Sequence, residues 1–91
     1  MAHPTEIRRK RLKFQSWHRG TKESDLILGR FAERYVDSFD AEELDAFERL
    51  LDCPDPEIFD WISGRSPVPA EIESPVTKLL LKFDISAQTF A

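Results

Sequence analysis

Cysteine is nearly absent from this sequence: Cys53 is the only one, so no disulfide can form within the chain. A lone thiol is typical of proteins from a reducing compartment. Long apolar runs are missing too. The longest hold three residues, 26–28 and 79–81, whereas a membrane-spanning helix needs about 20. We therefore expect no membrane insertion. The first residues lack the apolar core of a secretory signal and the serines of a mitochondrial presequence, which favours the bacterial cytoplasm over the mitochondrial matrix.

Groups that could do chemistry are also scarce. The side chains that most often hold zinc occur only as His3, His18 and Cys53, and none has metal-binding spacing. Cys53 has no histidine within thirty residues in the sequence to act as a base, so we interpret it as a small buried thiol. Glycine-rich phosphate-binding motifs are absent. These absences predict a protein that is not an enzyme and that stably binds no metal and no cofactor by itself.

Charge is unevenly distributed along the chain. Residues 1–22 carry seven basic side chains and one acidic, a net +6, whereas residues 23–91 carry six basic and sixteen acidic, a net −10. The basic run R-R-K-R-L-K could contact nucleic acid, a membrane surface, an acidic protein or the acidic remainder of the chain. That remainder would repel a phosphate backbone over most of the surface, and no helix-turn-helix pattern accompanies the run. We therefore expect no nucleic-acid partner.

Apolar residues recur with a helical period along most of the chain. The pattern predicts a first helix over about 6–17, with Ile7, Phe14 and Trp17 at helical spacing, and a second over about 22–35. Gly29 lies inside the second helix, where it costs about 1 kcal/mol relative to alanine. We interpret this glycine as room for the close approach of another helix.

Three further helices are predicted from their capping residues, Asp40, Asp55 and Ser74. The first has a glutamate three residues after the aspartate, as in a capping box. Each of the others is followed by proline, a favoured first helical residue, and Gly64 ends the fourth helix. The aromatic residues fall at core spacing, so we interpret them as core and not as a flavin pocket. The expected core is Phe31, Tyr35, Leu44, Phe47, Leu50, Leu51, Ile58, Phe59, Ile62, Leu79 and Leu80.

Together these segments predict an all-α protein, a compact bundle of about five short helices. We expect one domain over residues 1–91, ordered over about 6–83 and flexible at its first few residues and at 84–91.

The stretch W-H-R-G-T-K-E, residues 17–23, lies where the charge changes sign. One interpretation is a pair between Arg19 and Glu23 along a helix. This does not explain the intervening Gly20, which permits either a positive φ or the close approach of a partner. Trp17 and His18 are residue types found at interface centres, and arginine offers a planar fork of donors. The stretch is therefore typical of a binding surface.

Two segments of the chain resemble a known family. H-R-G-T-K-E contains the R-G-x-x-E motif, and L-L-D-C-P-D-P-E-I-F-D-W-I matches the leucine pair, acid, D-P and aromatic-x-tryptophan segment of the same family. On these motifs the chain resembles the small succinate dehydrogenase assembly factors, or flavinators, over about residues 8–83. Thr21 departs from the methionine of many members, and Pro75 falls inside the family's last helix.

The resemblance implies a non-enzymatic assembly factor. Members bind the flavoprotein subunit of succinate dehydrogenase, and in some bacteria that of fumarate reductase, and promote covalent attachment of FAD to a histidine of that subunit. The FAD is then held by the client and not by this chain, which we expect to be a monomer when free. The implied client-binding residues are Arg19, Gly20 and Glu23, with Trp17, His18 and Lys22 as neighbours.

Two other functions remain open from the sequence. One is a small helical regulator that binds nucleic acid or ribosomes through the basic residues 8–13. The other is a generic antitoxin-like partner protein. Steep salt-dependent binding to DNA or RNA would identify the first, and an unchanged flavin content after deletion of the gene would favour the second.

Overall fold

Five α-helices and one 3₁₀ turn make up most of residues 4–83, the part of the chain that this computed structural model describes. They are α1 (Pro4–Trp17), α2 (Lys22–Tyr35), the 3₁₀ turn (Val36–Ser38), α3 (Ala41–Leu51), α4 (Asp55–Ser63) and α5 (Pro75–Lys82). Within those residues there is no strand, so the prediction of an all-α bundle of about five helices is confirmed. The predicted flexible ends, 1–3 and 84–91, lie outside the described residues.

The capping residues place most helix starts where the sequence predicts them. At α3 the Asp40 carboxylate accepts from Glu43 N at 2.9 Å, and the Glu43 carboxylate accepts from Asp40 N at 2.9 Å, which completes the capping box. At α5 the Ser74 hydroxyl accepts from Thr77 N at 3.1 Å, and Pro75 is the first helical residue. Helix α1 begins at Pro4, slightly before the predicted position, because proline suits a first helical turn.

The start of α4 corrects the sequence prediction by one residue. The N-cap is Pro54 and not Asp55, since the carbonyl of Pro54 accepts from Glu57 N and Ile58 N at 3.1 and 3.2 Å. Asp55 is the first helical residue, and Pro56 takes the second position. The Asp55 carboxylate is therefore not needed as a cap, and it pairs with another part of the chain, described below.

The core is formed by residues from all five helices and the 3₁₀ turn. Phe31 of α2 is fully buried, and its ring packs against the rings of Tyr35, Phe47 and Phe83 at centroid distances of 5.1, 5.6 and 5.7 Å. Of the predicted core, the residues that are buried are Phe31, Leu44, Phe47, Leu50, Leu51, Ile58 and Leu80, while Tyr35, Phe59, Ile62 and Leu79 are half-buried. Buried residues that the prediction missed are Leu12, Leu28, Ala32, Val36, Phe39, Ala46, Trp61 and Val76.

Helix α1 packs across α2 through a glycine. A Cβ atom built on Gly29 would overlap the ring of Trp17, so only glycine lets the two helices come this close. The predicted role of Gly29 is therefore confirmed. The predicted apolar positions of α1 are only partly correct, because Ile7 and Phe14 are 56% and 63% exposed. Leu12 is the buried apolar residue of this helix in their place, and Ser16 is buried as well.

The basic residues of α1 pair with the acidic body of the same chain. Arg8 donates to Asp45 and Glu48 of α3, at 2.5 and 3.2 Å, and Arg11 donates to Glu48 at 3.0 Å. From the same helix, Arg9 donates a hydrogen bond to the carbonyl of Phe39, and Lys13 forms an ion pair with Asp37. Of the four partners that the sequence left open for the basic run, the acidic remainder of the chain is the one observed.

Candidate functional site

The turn between α1 and α2 carries the predicted binding residues. Gly20 has a φ of +111°, a value that side chains with a Cβ rarely adopt. A Cβ at this position would meet no atom within 4 Å, so the glycine faces open space. The backbone angle, not close packing within the chain, is therefore what requires glycine here.

Arg19 points into the protein. Its Nε donates to Asp55 Oδ1 at 2.8 Å, Nη2 donates to the carbonyl of Cys53 at 2.8 Å, and Nη1 donates to the carbonyl of Leu51. Nη2 also lies 2.8 Å from Asp55 Oδ1, which makes the contact an ion pair. The side chains of Arg19 and Asp55 are only 13% and 17% exposed. The alternative interpretation, a pair between Arg19 and Glu23 along a helix, is not observed, because Arg19 precedes α2 and its charge faces α4.

Two further contacts fix the turn to the start of α2. The backbone N–H of Arg19 donates to Asp25 Oδ1 at 2.6 Å. The Thr21 hydroxyl caps α2 by accepting from Ser24 N at 3.2 Å, and it contacts the Ser24 hydroxyl at 2.8 Å. Thr21 is thus the N-cap of this helix.

Lys22 and Glu23 occupy the first turn of α2, and both are exposed. Glu23 lines a groove of about 560 Å³ between this turn and α4. Phe59 and Pro56 provide apolar lining, and Asp55 and Asp60 add two further carboxylates. An acidic side chain beside an apolar surface can receive a cationic or N–H group of a partner while the ring packs against its apolar part.

Trp17 and His18 differ in what they offer to a partner. Trp17 is half-buried over Gly29, and its indole N–H donates to Glu33 Oε1 at 3.2 Å. His18 is exposed and stacks on Phe14 with a centroid distance of 4.0 Å and an interplanar angle of 18°. His18 Nδ1 lies 2.7 Å from the carbonyl of Phe14, to which a protonated Nδ1 donates. The turn therefore adjoins two features that a partner could contact: the exposed ring pair of Phe14 and His18, and the groove between the turn and α4.

Phe14, Asp55 and Phe59 adjoin the predicted site but were not among its predicted residues. Asp55 was interpreted as a helix cap, and its contact with Arg19 joins residues 36 positions apart. The two phenylalanines were assigned to apolar helix faces, yet Phe14 is exposed and Phe59 lines the groove. The only local signal was the position of Phe14 four residues before His18, a spacing that places two side chains on the same face of a helix.

Cys53 is half-buried, and its thiol lies 3.5 Å from the carbonyl of Arg49. Burial, together with the charges of Glu57 and Asp52, raises the pKa of this thiol above its usual range. A protonated thiol is a poor nucleophile and a poor metal ligand. Within residues 4–83, no group of three or more histidine, cysteine, aspartate or glutamate side chains is arranged to hold a metal ion. No helix in this part of the chain combines the length and the apolar character that crossing a membrane requires.

Comparison with known proteins gives a consistent result. The model of a family described as "flavinator of succinate dehydrogenase" matches residues 10–84, which include the whole site. The chain is 45% identical over 75 residues to the FAD assembly factor SdhE of Acetobacter pasteurianus, covering 82% of this chain and 69% of that protein.

Mitochondrial proteins are similar as well. The chain is 44% identical over 79 residues to the mitochondrial succinate dehydrogenase assembly factor 2 of Debaryomyces hansenii, and 43% identical over 72 residues to that of Dictyostelium discoideum. These alignments cover 82% and 79% of this chain but only 56% and 51% of the relatives. The chain thus spans little more than half the length of these two mitochondrial proteins.

Proposed function

Because this chain belongs to the family of flavinators of succinate dehydrogenase, we propose that it binds the flavoprotein subunit of succinate dehydrogenase and promotes its covalent flavinylation with FAD. The observation that carries the proposal is the match over residues 10–84. The site supports it, since the turn that holds the R-G-x-x-E motif is fixed from within and exposed at Gly20 and Glu23. The proposed client-binding site comprises Trp17, His18, Gly20, Lys22 and Glu23, together with Arg19, whose side chain holds the turn from within.

Several finer points belong to the same proposal. The chain acts as a chaperone and not as an enzyme, and the FAD remains with the client. It is a monomer when free, and the flavoprotein subunit of fumarate reductase is a second client. A bacterial cytoplasmic location is supported by the similarity to the Acetobacter protein.

The proposed contribution to flavinylation is positional. Covalent attachment requires the target histidine of the client to be held against the flavin, and well-oriented groups react with effective molarities of about 10⁵–10⁸ M. An assembly factor can hold its client in that geometry without supplying a reacting group. In this chain, Glu23 would accept from a client donor, and Gly20 would let the client backbone come close, since nothing lies within 4 Å of a Cβ there.

A substitution at Gly20 tests the proposal. Gly20→Arg adds a long side chain to the exposed turn and should abolish covalent flavin on the client, because the side chain blocks close contact. The positive φ adds a strain of about 1–3 kcal/mol, but the open space around the residue allows the fold to form. The measurement is the flavin fluorescence of the denatured client on a gel, after coexpression of the two proteins.

A matched control adds the same charge elsewhere. Ala41→Arg places arginine on an exposed residue at the start of α3, the end of that helix opposite to the one that Arg19 contacts, and should leave flavinylation normal. Normal flavinylation of the client with Gly20→Arg, or in cells that lack this protein, would contradict the proposed function. Equal loss in both variants would also count against it, since the effect would then not depend on the turn.

A further inference from the structure

The donor groups of Arg19 are directed away from solvent. Three of its nitrogens donate to Asp55, the first residue of α4, to the carbonyl of Leu51 at the end of α3, and to the carbonyl of Cys53 between the two helices. Carbonyl groups at the end of a helix have no partner within that helix, so a guanidinium there both satisfies them and balances the helix dipole. The arginine of the exposed motif is thus engaged with the junction between α3 and α4.

This contact joins the exposed turn to the other half of the protein. On one side, the N–H of Arg19 is held by Asp25 of α2. On the other, the Arg19 side chain is held by Asp55 of α4. Gly20 follows Arg19 directly, and Glu23 lies between Arg19 and Asp25, the two residues that this backbone contact joins. The positions of both exposed residues therefore depend on where Arg19 is held.

We propose that Asp55 is a positioning residue of the client-binding site, which acts through Arg19 to hold Gly20 and Glu23 in the geometry that binds the client. This inference rests on the proposed function. It assigns to Asp55 a role that a helix cap would not have, and it divides the motif between an internal anchor, Arg19, and an exposed face, Gly20 and Glu23.

The alternative is that Arg19 leaves Asp55 and binds the client directly. Such a movement would leave three acceptors, Asp55 and the carbonyls of Leu51 and Cys53, without their hydrogen-bond donor. The loss is costly here, because the side chains of Arg19 and Asp55 are less than one-fifth exposed. It would also leave the Asp55 carboxylate without its cation, which is costly for a charge that is largely buried. The two possibilities predict opposite effects for a variant that removes only the charge of Asp55.

Asp55→Asn is that variant, because asparagine keeps the shape of aspartate. The experiment measures the affinity of the full chain for the purified flavoprotein subunit, and the covalent FAD on that subunit, for the wild type, Asp55→Asn, Arg19→Ala and the double variant. We expect each single variant to weaken client binding by about tenfold to a hundredfold through misplacement of the turn. The double variant should bind no more weakly than the weaker single variant, since both act on one contact.

A variant at a second position, Asp40, distinguishes a loss of client binding through misplacement of the turn from a loss through lower stability of the whole protein. Asp40→Ala removes the capping box at the opposite end of α3 and should lower the melting temperature while leaving client affinity unchanged. Arg19→Lys should fail to restore binding, because a single ammonium group cannot replace the planar fork that reaches Asp55 and both carbonyls.

Amide hydrogen exchange tests the positioning without the client. Exchange across residues 19–24 should speed up in Asp55→Asn, whereas Glu23→Ala, which removes an exposed side chain, should leave the amides of residues 19 to 21 unchanged. Unchanged exchange in Asp55→Asn would overturn the inference. So would Asp55→Asn binding the client as well as the wild type, or better, while Arg19→Ala loses binding.

Different outcomes would contradict the proposed function and the role of Asp55. If the wild-type chain does not bind the flavoprotein subunit and its deletion leaves covalent FAD unchanged, the function is wrong whatever the exchange result. If Glu23→Ala loses flavinylation and Asp55→Asn keeps it, only the role of Asp55 is wrong.

Discussion

Arg19 and Glu23 belong to one motif, but their surroundings are opposite. Arg19 is 13% exposed and held by acceptors from three residues, whereas Glu23 is exposed on the first turn of α2. The loss of Arg19 would therefore leave an unpaired carboxylate and unpaired carbonyls, while the loss of Glu23 would remove an exposed side chain. Substitutions at the two positions can abolish the same activity with very different effects on stability.

Cys53 gives a prediction about reactivity. Its pKa is raised by burial and by the nearby carboxylates, so less thiolate is present in the folded protein than in the unfolded chain at the same pH. At pH 8 we expect iodoacetamide to modify the native protein more slowly than the protein in urea. The ratio of the two rates should shrink as the pH rises past the raised pKa, because both forms are then ionised.

The rates are measured by mass spectrometry of samples quenched at intervals. Glutathione, alkylated in both buffers, corrects for any direct effect of urea on the reaction. A native Cys53 that reacts as fast as the unfolded chain would show that its thiol is more exposed or more acidic than its surroundings indicate.

At the scale of helices, the contact between α1 and α2 gives a second prediction. Gly29→Ala would place a methyl group inside the ring of Trp17, so the helices must move apart. Overpacking of this kind costs about 1–3 kcal/mol. The better helix propensity of alanine offsets about 1 kcal/mol of that cost. We expect a net loss in the free energy of unfolding, measured by urea denaturation.

The contact can be isolated with a double variant. In a Trp17→Leu background the ring is absent, so Gly29→Ala should be neutral or stabilising. If Gly29→Ala destabilises both backgrounds equally, the packing of Trp17 on this glycine is not the reason for the glycine.

Helix boundaries were predictable where the signal is local. The capping box of Asp40 and the N-cap of Ser74 each involve residues three positions apart, and both are present. The start of α4 was misplaced because Asp55 resembles an N-cap in sequence while its carboxylate is taken by an arginine 36 residues earlier. A contact with a residue that is distant in the sequence, such as that between Arg19 and Asp55, cannot be predicted from a local capping pattern.

For the whole molecule, the same distinction separates the predicted and unpredicted parts of the site. The exposed turn and its glycine were predicted from residues 17–23 alone. The inward direction of Arg19 was not, because its acceptors come from residues 51–55 and their position depends on the packing of α3 and α4. The core prediction missed Leu12, Val36 and Phe39, which lie on the basic α1 or around the 3₁₀ turn, where helical stripes are interrupted.

The distribution of charge gives the last prediction. Arg8 and Arg11 are paired with α3, and Lys13 with Asp37, so few cations of the basic run are available to phosphates. The logarithm of a nucleic-acid binding constant falls with the logarithm of salt concentration by about 0.9 per phosphate contact. We expect weak binding to a random DNA duplex in a filter assay, with a slope corresponding to fewer than about two contacts.

Releasing the cations should change this result. Asp45→Ala with Glu48→Ala removes the α3 partners of Arg8 and Arg11, so the slope should become steeper by about one to two contacts. Glu42→Ala with Glu71→Ala removes the same number of exposed acids elsewhere and should change the slope less. A wild-type slope steeper than about −4, with micromolar affinity at physiological salt, would show instead that α1 leaves α3 to bind nucleic acid, and the regulator function would then be favoured over the flavinator.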